Sequence, residues 1–231
     1  MKEVKKAAII VAAGSGTRMG GVQPKQFQEL NGIPLAIYPG ISFLEFDPDI
    51  ELIYMIGIGT AQIWENHLRN YFSKSNWRLA MGGKTRYESV ANGIRSIQNP
   101  ETLVAIHDGV RPFTNKKMIE HAFQCAFENR NAVLAVPAKD SLRIQNDSAS
   151  HAVDRSQYFY VQTPQIFWQK DLRPVFLQPD NSNFTDDATV MEMAGHNIIL
   201  VEGSYDNIKV TTPEDWALAE LILKKRIVSK I

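Results

Sequence analysis

A glycine-rich loop with two basic residues is the part of the sequence best suited to holding an anion. The loop GSGTRMG covers residues 14–20, and Lys25 follows it. Glycine lets backbone N–H groups approach an anion closely because no Cβ intervenes. Arg18 adds a planar guanidinium that matches phosphate oxygens, and Lys25 adds a point charge. We expect a phosphate-binding loop; a strand-to-helix turn with solvent-facing basic residues is the alternative.

The loop departs from two common templates. A dinucleotide fingerprint starting at Gly14 would need glycine where Met19 stands, and the Gly-Lys-Ser/Thr ending of a Walker A loop is absent. The sequence also has no G-x-S-x-G and no H-E-x-x-H motif. A positively charged site without an activated nucleophile suits a substrate that brings its own. A phosphate monoester does so, because it is largely dianionic at neutral pH.

A second glycine pair, Gly82 and Gly83, ends the apolar run WRLAM. It leads into the helical segment RYESVANGI, near whose start lies Ser89. The pair predicts another exposed backbone turn at the same sheet edge, with the Ser89 hydroxyl placed to meet a base or ribose. Helix capping is the alternative role for this serine.

A carboxylate follows the apolar run LVAI in the segment HDGVRPF, residues 107–113. Asp108 is suited to Mg²⁺, a hard cation that prefers carboxylate, water and phosphate oxygens. An ion pair between Asp108 and Arg111 is the alternative. We predict that His107 is a hydrogen-bonded core residue rather than a ligand.

Three charged clusters later in the chain also follow or interrupt predicted strands. They are VDR with Arg155, TDDAT with Thr185, Asp186 and Asp187, and DNIKVTTPED with Lys209. Charges between apolar runs are usually solvated loops. Because ligands bind beyond the carboxyl ends of strands in open α/β sheets, we expect these clusters to converge on one cleft.

The elements that must position these residues can be predicted from apolar patterning. Short runs rich in Val and Ile, such as AAIIVAA, ELIYMIGI, TLVAIH and AVLAVP, alternate with amphipathic helical segments. This alternation indicates an α/β fold with a mostly parallel, twisted sheet flanked by helices. Thr212 as N-cap and Pro213 at the first helical position predict the start of a last helix. We expect residues 1–231 to form a single domain.

Residues 139–160 interrupt the βαβ rhythm. They read as two short alternating strands around the polar turn QNDSAS, which predicts a projecting β-hairpin, the arm. A lone hairpin is marginally stable, so we expect the arm to pack on a second subunit of a homodimer. Packing on its own domain is the alternative.

Composition excludes several classes of protein. The formal net charge is +0 with pI near 7.0, so no broad basic face points to nucleic acid. No apolar run approaches the roughly 20 residues of a membrane span, and we expect a cytoplasmic protein without a membrane partner. The one cysteine, Cys125, excludes an internal disulfide framework and a cysteine-based zinc site.

Six motifs together resemble one enzyme family in order and spacing. AAGSGTRMG with PKQF, GGKTRYESV, HDGVRPF, VDR with QTPQIF, TDDAT, and EGSYDNIKVTTPEDWALAE are similar to the bacterial cytidylyltransferases that act on 2-C-methyl-D-erythritol 4-phosphate in the non-mevalonate isoprenoid pathway. The resemblance runs from about Ala7 to about Leu223. It implies a Rossmann-like nucleotidyltransferase fold. It also implies transfer of CMP from CTP to that acceptor, with release of pyrophosphate.

The resemblance implies a role for each matching residue. Arg18 and Lys25 would contact the triphosphate and stabilise the reacting α-phosphorus, with Lys209 as a third catalytic cation. The nucleotide would be held by the glycine loop and the second turn, namely by Ala12, Ala13, Gly14, Gly16, Gly83 and Ser89. Asp108 would hold Mg²⁺. Arg155, Thr185 and Lys209 would meet the acceptor or the reacting phosphate, and the arm would swap between subunits, so that Arg155 could serve the neighbouring site.

Two departures and three alternatives accompany this resemblance. Thr17 stands where the family often has a second basic residue, and Gly109-Val110 replaces a common Ala-Ala or Ala-Val. Ribitol 5-phosphate cytidylyltransferase shares the first motifs, but VDR before QTPQ and the TDDAT motif favour the isoprenoid enzyme. A noncatalytic nucleotide-binding module would not need the full set of charged residues, and an NAD-dependent oxidoreductase is disfavoured by the misplaced glycines.

Overall fold

One seven-stranded sheet forms the centre of the molecule. The computed structural model describes residues 4–14, 24–73, 75–176, 184 and 186–228. The strand order in the sheet is β11-β7-β10-β6-β1-β4-β5. The strands are β1 Lys5–Val11, β4 Glu51–Ile56, β5 Trp77–Met81, β6 Thr102–Asp108, β7 Asn131–Pro137, β10 Phe159–Trp168 and β11 Leu200–Glu202. The short strands β2 Glu29–Leu30 and β3 Ile33–Pro34 pair with each other outside this sheet.

Seven helices lie in the described part of the chain and surround this sheet. They are α1 Ile37–Phe46, α2 Ala61–Tyr71, α3 Arg86–Ser96, α4 Lys116–Asn129, α5 Gln169–Phe176, α6 Asp187–Met193 and α7 Pro213–Val228. Polar caps fix several of their starts: Thr85 forms a capping box with Glu88 at α3, and Asp186 caps α6. The predicted cap of α7 is confirmed, because the Thr212 hydroxyl accepts from Asp215 N at 3.3 Å.

The sheet is mostly parallel, as predicted, with one antiparallel strand. β1 pairs in parallel with β4 and β6, β4 with β5, and β11 with β7. β10 runs antiparallel between β6 and β7, with a register shift between Val161 and Gln165. Sequence patterning missed β10 because its centre, Gln162–Gln165, is polar and contains Pro164. The mixed sheet with helices on both faces fits a Rossmann-like α/β fold.

The predicted hairpin arm is present, with a different end. It consists of β8 Arg143–Gln145 and β9 Ser150–Ala152, which form a separate two-stranded antiparallel sheet. The predicted boundary at Tyr160 runs two residues too far. Phe159 and Tyr160 already belong to β10, where they pair with Pro137 and Val136 of β7.

Both faces of the sheet are buried, which explains the continuous apolar runs. Along β1, Ala8 and Ile10 face a cluster built with α1, α2 and α4, whereas Ala7 and Ile9 face a cluster built with α3, α5 and α6. The thiol of Cys125 is free and partly buried against the first cluster, as its apolar surroundings predict. Across the described residues, no helix combines the length and apolar character needed to cross a bilayer.

Candidate active site

The carboxyl ends of β1, β5 and β6 open into a pocket of about 350 Å³. The residues after β1, the glycine turn after β5 and the end of β6 line it together with Lys25, Lys84 and Lys209. Predicted site residues in the lining are Ala12, Ala13, Gly14, Lys25, Gly83, Ser89, Asp108 and Lys209. Motifs distant in the sequence thus meet at one pocket, and of the three later charged clusters Lys209 lines it.

Lys25 is held at the pocket by its buried neighbours. It begins the 3-10 helix Lys25–Phe27, in which Gln26 and Phe27 are buried. The Phe27 ring packs on Trp64 of α2 with centroids 4.9 Å apart, and Gln26 O accepts from Ala36 N. Because Gln26 and Phe27 are held by these contacts, the backbone of the neighbouring Lys25 has a fixed position beside the pocket.

The second glycine turn approaches its neighbours too closely for any side chain. A Cβ on Gly82 would lie 2.4 Å from Ala13 Cβ, and one on Gly83 would lie 2.2 Å from Glu88 Cβ. Ser89 braces the turn, because its hydroxyl accepts from Gly83 N at 3.0 Å and donates to Thr85 O at 2.9 Å. The cap of α3 is Thr85, so the capping alternative for Ser89 is wrong.

Asp108 is surrounded by three cations. Its Oδ1 contacts Arg86 Nε at 3.2 Å, and its Oδ2 contacts Lys209 Nζ at 3.0 Å and Arg111 Nε at 3.5 Å. Burial alone would raise the pKa of Asp108, but the charges of Arg86, Lys209 and Arg111 outweigh it and hold that pKa well below its usual range. Asp108 is therefore ionised, and the ion pair with Arg111, which was the alternative to a metal role, is present.

Arg86 is the main site residue that sequence analysis missed. Its Nη1 and Nη2 donate to Asp187 Oδ1 and Oδ2 at 2.8 and 2.7 Å, a bidentate pair, while its Nε faces Asp108. Burial would lower the pKa of Arg86, but Asp187 and Asp108 raise it, so the guanidinium keeps its charge. The one available signal was that Arg86 and Asp187 lie in motifs already singled out, GGKTRYESV and TDDAT respectively.

A second pocket of about 300 Å³ adjoins the first. Arg86, Asp108 and Lys209 line both pockets and so form the boundary between them. Other residues of the second pocket come from β10 and from the start of α6; they include Gln162, Thr163, Gln165, Asp186 and Thr189. Two neighbouring volumes that share a charged boundary can hold two reacting molecules with charge between them.

His107 is a buried core residue, as predicted. Its Nδ1 lies 3.1 Å from Thr163 Oγ1 and its Nε2 lies 3.2 Å from Arg111 O. Burial lowers the pKa of His107 to about 4, so the ring is neutral near neutral pH. It supports the end of β6 rather than acting in the pocket.

Among the described residues of the predicted site, Arg155 is the one that does not line this cleft. Gly16, Arg18 and Thr185 lie outside the described residues. Arg155 lines neither pocket; it is exposed in the 3-10 helix Arg155–Gln157, where its guanidinium donates to Lys139 O. Its predicted role therefore depends on a second subunit.

Asp108 is the pocket carboxylate that could hold a magnesium ion, with a nucleotide supplying further oxygen ligands. In the described ranges no group of three His, Cys, Asp or Glu side chains could hold a metal by itself. Mg²⁺ is commonly held by one or two carboxylates together with substrate phosphates, and Asp108 supplies one ionised carboxylate at the pocket. Asp108 would hold the ion in exchange for part of its contacts with Arg86, Arg111 and Lys209.

Comparison with known proteins agrees with this geometry. Residues 6–225 match the family model of 2-C-methyl-D-erythritol 4-phosphate cytidylyltransferase. Enzymes of that name from Porphyromonas gingivalis and Alkaliphilus oremlandii are 39% and 37% identical, over 96% of this chain and 99% and 96% of theirs. The crystal structure of 4-diphosphocytidyl-2C-methyl-D-erythritol synthase from Anaerococcus prevotii superposes with a TM-score of 0.82 at 27% identity, covering 96% of both chains.

Proposed function

The chain belongs to the 2-C-methyl-D-erythritol 4-phosphate cytidylyltransferase family, and on that premise we propose how its two pockets carry out the reaction. The enzyme transfers CMP from CTP to 2-C-methyl-D-erythritol 4-phosphate. A phosphate oxygen of the acceptor attacks the α-phosphorus of CTP. The bond from that phosphorus to the oxygen of the β-phosphate breaks, and pyrophosphate leaves with the electron pair. Atoms and charge balance without a protein nucleophile.

The observation that carries the proposal is the shared boundary of the two pockets. CTP lies in the pocket formed by the residues after β1 and the Gly83 turn, and the acceptor lies in the pocket beside β10. Lys209 and Lys25 then face the phosphates, where their charges stabilise the negative charge that develops on the α-phosphorus. The arrangement acts by alignment and electrostatics, which suffices for a substrate that is already a dianion.

A direct test uses purified protein, CTP and Mg²⁺ with one phosphorylated polyol at a time, scored for pyrophosphate. We expect release with 2-C-methyl-D-erythritol 4-phosphate and little with ribitol 5-phosphate. Faster turnover with ribitol 5-phosphate would overturn the assigned acceptor. CTP hydrolysis at the same rate without any acceptor would overturn the transfer reaction.

We also propose Mg²⁺ as the cofactor, held by Asp108 together with the CTP phosphates. When bound, the ion would neutralise phosphate charge and orient the triphosphate. Reversible loss of activity on chelation would support this, and Asp108→Asn should require higher Mg²⁺ concentrations. Asp171→Asn is a suitable control, because Asp171 pairs with Arg130 away from the pockets. Full activity in excess chelator would exclude the metal.

The homodimer is a further proposal. The two strands of the arm are exposed at every residue. Large apolar side chains in the arm and directly after it are 40% to 46% exposed; they are Ile144, Tyr158, Phe159, Tyr160 and Val161. A clustered apolar surface of this kind is typical of an interface, and a second subunit would cover it. Arg155, placed at the base of the arm, would then reach the partner's acceptor pocket. A cytoplasmic location stays a prediction from the sequence.

A further inference from the structure

The segment that carries Lys209 has no regular secondary structure, yet its lysine lies at a defined place. Residues 203–212, between β11 and α7, are neither helix nor strand. Lys209 is 41% exposed, but its Nζ lies 3.0 Å from Asp108 Oδ2. A long, partly exposed lysine loses rotamer freedom when it is held in one geometry, so its backbone must be fixed by other contacts.

Asn207 supplies those contacts from two positions upstream. The residue is fully buried, and its Nδ2 donates to Thr163 O at 2.9 Å and to Gln162 Oε1 at 3.3 Å. Its Oδ1 accepts from Thr114 Oγ1 at 3.0 Å, and its main-chain oxygen accepts from Arg111 Nη1 at 2.8 Å. The side-chain amide of Asn207 thus uses its donors and its acceptor on β10 and on Thr114, which follows the HDGVRPF segment.

The same elements hold Asp108. Thr163 Oγ1 accepts from Asp108 N at 3.1 Å, so β10 contacts Asp108 through the residue whose carbonyl accepts from Asn207. Downstream of Lys209, Val210 N donates to Val110 O at 2.9 Å and closes the other side of the segment. The backbone on both sides of Lys209, at Asn207 and at Val210, is therefore hydrogen-bonded to segments that also hold or adjoin Asp108.

We propose that Asn207 is a positioning residue that fixes Lys209 against Asp108 through its buried side-chain amide. The importance of this for turnover rests on the proposed function, in which Lys209 faces the reacting phosphates. Asn207 itself lines neither pocket and acts through the lysine.

A matched control separates positioning from ordinary stabilisation. Asn131 is also a buried asparagine, and its amide also joins a strand to a loop, with Nδ2 donating to Asn197 O at 2.8 Å and Oδ1 accepting from Ile199 N at 2.9 Å. It is the first residue of β7, at the amino end of the strand, whereas the first pocket lies at the carboxyl ends of strands. Asn131→Ala should lower stability as Asn207→Ala does, without changing turnover.

The kinetic test is a double-mutant cycle with Lys209→Met. Asn207→Ala should lower kcat by roughly 10²-fold, because a displacement of about 1 Å at a reacting centre has an effect of that size. The KM for CTP should change little. In the Lys209→Met background, Asn207→Ala should cause almost no further loss, whereas a purely structural role would give a loss of the same factor in both backgrounds.

A second measurement does not depend on activity. The lysine side chains are ¹³C-methylated and observed by NMR. The Lys209 signal is the one that disappears in Lys209→Arg, and its chemical shift is then compared between variants. Asp108→Asn removes the partner of Lys209, and Asn207→Ala should move the signal in the same direction, while Asn131→Ala should not. Asn207→Ser is studied in parallel as a milder change that retains a polar group. An unmoved Lys209 signal in a folded Asn207 variant would overturn the proposal even if the assigned substrate proved wrong.

Discussion

At the scale of single residues, the site is a balance of buried charges. Asp108 meets three cations, and Arg86 meets two carboxylates, so neither residue is left with an unpaired charge. Removing one partner of such a set leaves the others buried without compensation, which is costly. Lys209 belongs both to the charges that hold the site together, through Asp108, and to the charges that face the phosphates in the proposed reaction, whereas Arg86 belongs to the first group alone.

In the proposed reaction, Lys25 belongs to the group that faces the phosphates. Lys25→Ala should lower kcat by roughly 10²–10³-fold at saturating substrates, because one donor to the developing charge is lost. Lys170→Ala is the control, since Lys170 pairs with Glu101 at the surface and lines neither pocket. Steady-state pyrophosphate release measures both variants. If the Lys25 variant shows only a raised KM, the lysine binds substrate without acting on the transition state.

Arg86 belongs to the group that holds the site together. Arg86→Lys keeps the charge but loses the bidentate contact with Asp187, and we expect the free energy of unfolding to fall by roughly 1.5–3 kcal/mol. Arg130→Lys changes a pair with Asp171 in which the arginine side chain is 63% exposed, and it should have little effect. Urea denaturation compares the two. Equal losses in both variants would contradict the structural importance of the buried pair.

Chemical type and local context in the sequence identified Lys25, Asp108 and Lys209, and the structure places them at one pocket. The pair of Arg86 with Asp187 could not be predicted in the same way. The two residues are 101 positions apart, and each is an unremarkable charge within its own segment. They come into contact because α3 begins at Arg86 and α6 begins at Asp187, and Arg86 reaches both Asp187 and the end of β6 at Asp108.

At the scale of elements, too, some features could be predicted from the sequence and others could not. Strands with uniform apolar runs and helices with clear caps were predicted because local composition alone specifies them. β10 was missed because its polar residues are buried through specific long-range contacts. Gln165, for example, donates to Asp186 Oδ2 at 3.0 Å and accepts from Ala188 N at 2.7 Å. A buried polar strand of this kind has no local signature.

The turn between β5 and α3 gives a test at this scale. Gly83→Ala would place a Cβ 2.2 Å from Glu88 Cβ, so the start of α3 must shift, and overpacking of this kind typically costs about 1–3 kcal/mol. The shift should also weaken CTP binding in calorimetry. Gly57→Ala is the control, because its Cβ would meet only Ala13 O at an ordinary 3.5 Å. Matching stability and CTP affinity in the two variants would show that the turn is not tightly constrained.

At the scale of the whole molecule, one described residue of the predicted site lies away from the two pockets. The two pockets gather Lys25, Asp108 and Lys209 from one subunit, whereas Arg155 lies at the base of the arm and lines neither pocket. The arm shares no strand pairing with the main sheet, and its strands are fully exposed. A two-fold dimer with arms exchanged would place the guanidinium of one subunit at the acceptor pocket of the other.

Complementation between two inactive variants tests this arrangement. In a mixed dimer of Arg155→Ala and Lys25→Ala subunits with shared clefts, one cleft has both residues intact and the other has neither. In a random one-to-one mixture about half of the dimers are mixed, and each mixed dimer has one intact cleft out of two. The mixture should therefore regain about a quarter of the wild-type activity. Each variant alone should stay at its own low level, and native mass spectrometry confirms the mixed species. An active monomer in sedimentation, or no regained activity despite proven mixed dimers, would show that each cleft works with its own chain alone.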